Sequence, residues 1–298
     1  MYKTDIHSLS SETGGKRVSE IRRITRVMFG RGIVVGGALV ILCLILAAVF
    51  APALTPYDPY ETDLNNILAQ PSRSHLLGTD EVGRDLLSRI IYGSRISLMV
   101  GIVAISIAGV LGMGLGLIAG YLGGWVNIII MRFVDALLAI PTLIKMLAIS
   151  AVLGAGLFNI LIALGIGMLP TYCRLMCGQV LSLKENDYVT AARALGASNL
   201  RVMIRHLLPN SFPPLMVLMT INLGTAIMME ASLSFLGIGI SPPTATWGAM
   251  VSSGYRFLLT NPLISFIPGF AILLVVLSFN MVGDGLRDAL DPRLRGII

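Results

Sequence analysis

The sequence predicts an all-α integral membrane protein of six transmembrane helices with both termini cytoplasmic, and three observations carry that expectation. Of 298 residues, 55% are hydrophobic and 13% charged, with a mean hydropathy of +0.83, whereas ordinary soluble domains hold about 25% charged residues. Several apolar runs reach the roughly 20 residues that a helix needs to cross the hydrocarbon core. The remaining charge is sorted between connecting segments: the N-terminus, the segment around Tyr188 and the C-terminus are basic, while residues 54–92 hold six acids and three bases. Basic loops stay on the cytoplasmic side, and an even number of crossings returns the chain to the side where it started.

Residues 1–31 form a basic leader containing Lys16, Arg17, Arg22, Arg23, Arg26 and Arg31, followed by the uncharged run Ile33–Ala53. A signal peptide is the competing reading, but this run exceeds the roughly 7–15 residues of a secretory apolar region, so it is taken as the first span. Leu42 precedes Cys43, which does not suit a lipoprotein site. Pro52, Pro56 and Pro59 end the span. The following segment, placed outside, closes with apolar residues at 86, 87, 90 and 91, the stripe of an interfacial helix within Leu77–Leu98. Its Asp80, Arg84 and Asp85 are read as a structural network rather than as catalytic groups.

The second span is expected over Ser97–Tyr121, where Gly112, Gly116 and Gly120 recur every four residues as a helix-packing face. The third is expected over Trp125–Leu153, with Arg132 and Asp135 three residues apart as a stabilising pair. Lys145 falls inside this span, where a charge costs about 2.5–3.5 kcal/mol on the insertion scale and turns toward a bundle interior or a wet cavity. Two readings stay open for it: a lining of the translocation path, or a buried polar group with a local partner. The fourth span covers Phe158–Met176, with Arg174 at its inner end. A fifth follows Pro209, Pro213 and Pro214, runs to Leu236 and contains Glu230, read either as a proton carrier or as a buried group packed between helices. An outer loop from Ser241 to Met250 leads toward the sixth span, Ile264–Val282.

Between the fourth and fifth spans lies the water-compatible stretch from Tyr188 to Asn210. Ala191, Ala192, Ala194 and Leu195 favour a helix, Gly196 interrupts it, and Ser198 is placed to cap a second helix. Two short helices meeting at a bend are expected, with small residues at the tip and Arg193, Arg201 and Arg205 around it. Such a hairpin either docks to another protein or lies as an amphipathic element on the membrane surface.

Several function classes find no support. The charge of +6 comes from basic residues spread over loops, unlike the clustered patch of a nucleic-acid binder. The three cysteines and three histidines form no zinc or disulfide spacing. There is no G-x-x-x-x-G-K-[ST] phosphate loop and no H-E-x-x-H or G-x-S-x-G signature. An ion-coupled transporter using Glu230, Asp135 and Lys145 as a relay is a rival reading, but the internal inverted repeats common in that class are not evident.

Four strings carry a resemblance to a known family. Ala191-Ala192, Gly196 and Leu208-Pro209 resemble the EAA loop of ABC importer permeases, with Thr190 standing where that family usually has Glu. The strings from Gly78 to Asp85 (GTDEVGRD), Pro242 to Gly248 (PPTATWG) and Phe279 to Arg293 (FNMVGDGLRDALDPR) resemble the second permease subunit of the dipeptide, oligopeptide and nickel branch. The resemblance implies a type I ABC importer transmembrane fold. It divides the chain into a tail (1–31), a first span with its outer segment (32–94), a permease core (95–285) and a second tail (286–298), with a coupling loop at 184–210. It implies that Thr190, Ala191, Ala192, Arg193, Ala194, Gly196 and Ala197 meet an ATPase, and that the partners are a second homologous permease, two ABC ATPase subunits and an extracytoplasmic binding protein. ATP and Mg then belong to the ATPases, with no cofactor on this chain. Peptides are the expected cargo, with nickel chelates or another small solute as the alternative.

Overall fold

A computed structural model of the protein describes residues 25, 27–240 and 242–290. The expected cytoplasmic tails therefore lie largely outside the described residues. Among those described, five helices are long and apolar enough to cross a membrane, and a bent pair passes the same test as a sixth crossing.

Helix α1 (Gly32–Val49) is followed after Phe50 by the one-turn α2 (Ala51–Leu54). Most of α1 exposes Leu39, Leu42, Ile45 and Leu46. It leans on the last long helix through Gly37, where an added Cβ would stand 3.0 Å from that of Met281.

Residues 55–85 form a loop held by charge. The Asp80 carboxylate accepts from Arg84 Nε at 2.6 Å and from the amides of Val82 and Arg84 at 3.0 and 2.9 Å. Arg89 Nε lies 3.4 Å from the same carboxylate, and its Nη1 donates to the Pro59 carbonyl at 2.9 Å. These side chains are buried, and a buried charge is tolerated where each partner is hydrogen-bonded. The expected structural network is present.

Asp85 ends this loop by capping α3 (Leu86–Leu122), accepting from the Ser88 amide and hydroxyl, both at 2.8 Å. Here the structure corrects the expectation of a separate interfacial helix before a span at Ser97. The apolar stripe belongs to the first turns of one 37-residue helix. With the cap at Asp85 and no proline downstream, nothing interrupts it. At 1.5 Å per residue it is about 55 Å long, well beyond the roughly 30 Å hydrocarbon core.

α3 packs most closely on α6 (Leu157–Leu183). A Cβ on Gly112, Gly116 or Gly120 would meet Leu169 O at 2.7 Å, Cys173 O at 2.4 Å or Val180 Cβ at 2.8 Å. The four-residue glycine repeat is the contact that lets the two backbones approach.

The third span is not one helix, which is a second correction. α4 (Gly124–Ala139) and α5 (Thr142–Leu153) meet at 96°. Pro141 is the cause: it pushes Ile140 into an extended conformation, φ −91° and ψ 126°, and has no N–H for the Leu137 carbonyl four residues back. The expected Arg132–Asp135 pair is likewise replaced, because Asp135 joins Arg174 of α6 instead.

Beyond α6 come α7 (Asp187–Ala194), α8 (Asn199–Val202), a π-helical turn (Met203–Leu207) and α9 (Leu208–Phe235), helical without interruption from Asn199 onward. The prolines expected to precede the fifth span lie in it: Pro209 in the first turn of α9, Pro213 and Pro214 inside. α10 (Trp247–Tyr255) and α11 (Leu263–Leu290) complete the bundle. Trp247 pins α10 to α3, donating from Nε1 to the Ile90 carbonyl at 3.0 Å. The bundle thus has a hairpin end, where Arg31 pairs with Asp288, and a loop end, where residues 55–85 meet α10.

Candidate functional site: the hairpin and the buried charges

The hairpin forms from local signals. α7 stops because Gly196 takes φ +81°, a left-handed conformation that costs a side-chain-bearing residue about 1–2 kcal/mol. Gly196 N–H reaches Arg193 O at 2.9 Å and Ala197 N–H reaches Ala192 O at 3.0 Å, the paired bonds of a Schellman terminus. Two residues later Ser198 accepts from the Arg201 amide at 3.4 Å and starts α8. Both expected helices and the bend between them are present.

One face of the hairpin is anchored and the other is free. Val189, Val202 and Leu207 are fully buried, whereas Leu195 is 89% exposed and Leu200 62%. Thr190, Ala191, Arg193, Ala194 and Gly196 are also exposed, with Ala192 and Ala197 half-buried. An added Cβ on Gly196 would meet nothing within 4 Å, so that surface is open. The anchor that sequence reasoning missed is Tyr121, at the end of α3. Its hydroxyl donates to Asn199 Oδ1 at 2.8 Å, and the Arg193 guanidinium lies 5.0 Å from its ring centroid. Arg193, expected to present charge to a partner, is therefore partly engaged by its own chain. Lys184 adds a bond to the Gly120 carbonyl at 3.4 Å.

The π turn joins this hairpin to α9. In it the Leu208 N–H reaches back five residues to Met203 O. It sits directly before Pro209, which supplies no N–H, and such single wide turns mark sites where a helix is adapted rather than merely continued. Below it, Gln179, Pro209, Pro213, Pro214 and Arg287 line a cavity of about 660 Å³ between α6, α9 and α11.

Lys145 is buried and its Nζ donates to Leu137 O at 2.9 Å. That is the carbonyl left without a helical donor by Pro141, so the ammonium caps the broken end of α4, where a cation also suits the helix dipole. Glu230 is 1% exposed; Oε1 accepts from Ser234 Oγ at 2.8 Å, and Oε2 has no partner. Among the described residues Lys145 and Glu230 form no ion pair, Asp135 is taken by Arg174, and no cluster has the ligands for a metal ion. The three groups of the supposed ion relay are not brought together by ion pairing.

A bundle of membrane-crossing helices with one bent span and an exposed, short-helix hairpin fused to another defines a multi-pass membrane protein. Residues 112–296 match the family described as binding-protein-dependent transport system inner membrane component, and residues 21–71 match the N-terminal TM domain of oligopeptide transport permease C. The chain belongs to this family of ABC transporter permeases, located in the cytoplasmic membrane.

The chain is 46% identical over 259 residues to the dipeptide transport system permease protein DppC of Alkalihalophilus pseudofirmus, covering 87% of this chain and 85% of that one. It is 42% identical over 293 residues to the probable D,D-dipeptide transport system permease protein DdpC of Escherichia coli, covering 97% and 98%. The glutathione transport system permease protein GsiD of Pectobacterium atrosepticum is 40% identical over 275 residues, with 92% and 91% covered. Among solved structures, an inward-facing MetNI methionine ABC transporter chain matches with a TM-score of 0.57 and 19% identity, over 69% of this chain and 98% of that one. That likeness shows the type I importer fold.

Proposed function

We propose that this chain forms one half of the translocation path of an ATP-driven importer of di- or oligopeptides, with a second homologous permease as the other half. Two ATPase subunits, which carry ATP and Mg, grip the hairpin on the cytoplasmic side, and an extracytoplasmic binding protein delivers cargo at the loop end. The peptide assignment rests on the relatives named for dipeptide and glutathione transport.

The observation that carries the coupling is the unbroken helix from Asn199 to Phe235. A hairpin whose second arm is the root of a membrane span converts a pull at its tip into displacement of that span, so closure of the ATPases opens the path outward and hydrolysis resets it. Thr190, Ala191, Ala192, Arg193, Ala194, Gly196 and Ala197 form the docking surface. With Thr190 in place of an acid, shape rather than a charged pair dominates at that point. Lys145 and Glu230 hold the broken span and the end of α9 in place.

The test is Gly196→Trp in the purified complex with its ATPases and binding protein. Uptake into proteoliposomes falls at least about tenfold, while nucleotide hydrolysis continues without stimulation by loaded binding protein. Wild-type uptake and wild-type stimulation together would remove the hairpin from the coupling path.

A further inference from the structure

At the loop end, Glu81, Ser234, Ser252, Ser253, Arg256 and Phe257 line a second cavity of about 360 Å³ between the charged loop, the end of α9 and α10. This is near the lower end of the roughly 300–1,000 Å³ range for small-ligand pockets. The lining has an uneven hydrogen-bond polarity. Ser234 spends its hydroxyl hydrogen on Glu230, Ser252 on the Phe235 carbonyl at 3.3 Å and Ser253 on the Met250 carbonyl at 3.2 Å. Each hydroxyl therefore offers only its lone pairs to a ligand. Glu81 adds a partly exposed carboxylate to this lining: its Oε1 lies 3.8 Å from an Arg84 that is already bound to Asp80, while its Oε2 is enclosed and without a partner. Arg256, donor-only and always charged, has no ion-pair partner among the described residues.

A cavity with several hydroxyl acceptors and a carboxylate weakly engaged by Arg84, together with a single uncommitted guanidinium, matches a small zwitterion. From this we infer that the cavity is a subsite for a short peptide with free termini, its ammonium toward Glu81 and the serines and its carboxylate toward Arg256. An extended dipeptide spans about 7 Å, so both termini fit one pocket of this size. The inference rests on the proposed function for the direction of the chain and for the class of cargo. It adds that this permease touches the charged termini itself rather than leaving all selection to the binding protein.

The experiment uses the assembled importer in nanodiscs without binding protein and dialanine as the probe, read by saturation-transfer NMR. Dialanine shows transfer, and N-acetyl-dialanine amide, of the same length but uncharged, does not. Glu81→Gln and Arg256→Gln each weaken dialanine binding about tenfold, the loss of one charge-assisted contact. Glu81→Asp and Arg256→Lys retain it within about threefold, which separates loss of charge from loss of fold. Absence of dialanine transfer, equal transfer from the blocked peptide, or unchanged binding in both neutral variants overturns the subsite. Dipeptide uptake by the complete importer is measured in parallel. Uptake with binding indifferent to these charges sinks the subsite and leaves the proposed function standing, while charge-dependent binding without any uptake does the reverse.

Discussion

A methyl group on Gly116 would stand 2.4 Å from the Cys173 carbonyl, and backbone cannot move aside by changing rotamer. Gly116→Val is therefore expected to destabilise the bundle by about 1–3 kcal/mol, the cost of overpacking, seen as a lower unfolding temperature of the purified assembly. Gly114, two residues earlier in the same helix, faces open space, so Gly114→Ala leaves that temperature unchanged or slightly raises it, Ala being the better helix former; a fall at Gly114 equal to that at Gly116 would show that the stripe is not a packing face. Lys145 is settled by a different pair of readouts. If its ammonium holds the carbonyl stranded by Pro141, Lys145→Met costs about 1.5–3 kcal/mol of stability, as for a charged hydrogen bond. Uptake per folded complex keeps its KM, and Lys145→Arg recovers the stability. A raised KM with intact stability would instead put Lys145 in the path.

The elements divide according to how local their causes are. The hairpin was legible because Ala191–Ala194, Gly196 and Ser198 specify two helices and a left-handed stop within a dozen residues. The 96° break was half legible: Pro141 and Lys145 both stand out, but an apolar run continuing past a proline looks like one span. The merger of the interfacial stripe with α3 was hidden for the converse reason, since Gly93 and Arg95 suggest an end where the helix continues. Tyr121 clasping Asn199 and Asp135 meeting Arg174 join residues 78 and 39 apart, and no local pattern announces such pairs. The π turn was equally invisible, yet it supplies the sharpest test of the hairpin's role. Deleting Ile204, an exposed residue within it, removes the extra residue and restores ordinary helical spacing. The hairpin then joins α9 through an ordinary α-turn at nearly the same angle, without the locally wide turn. The deleted complex is expected to assemble and hydrolyse ATP but to lose most uptake, whereas Ile204→Ala, which leaves the wide turn intact, transports normally. Coupled uptake by the deletion would show that the wide turn itself is not needed for coupling.

Across the whole molecule, burial is uneven in a way that composition helps interpret. Within the most apolar stretch of each span, 67% of α6 is enclosed, against 22% for the span containing α9 and 11% for α1. Low enclosure has two causes in a membrane, lipid and a missing protein partner, and the side chains distinguish them. The outward residues of α1 are Leu39, Leu42, Ile45 and Leu46, all hydrocarbon. α9 interleaves Met228 and Phe235 with Thr220, Asn222, Thr225 and Ser232, none of them fully buried. Thr220 and Ser232 bond back to the Met216 and Met228 carbonyls and Asn222 to Tyr172 within the chain, but this face is still the more polar of the two. Polar groups within a span turn toward protein or water, so the proposed second permease is expected against α9. A fluorophore on Cys at Met228 or at Leu39, in a chain whose exposed Cys43 is Ser and whose buried Cys173 and Cys177 are kept, reports the difference through quenching by brominated lipid. For this chain alone both positions quench. Once the second permease is added, Met228→Cys is shielded and Leu39→Cys still quenches; shielding of Leu39→Cys with Met228→Cys left open would place the partner on α1 and move the path to the opposite side of the bundle.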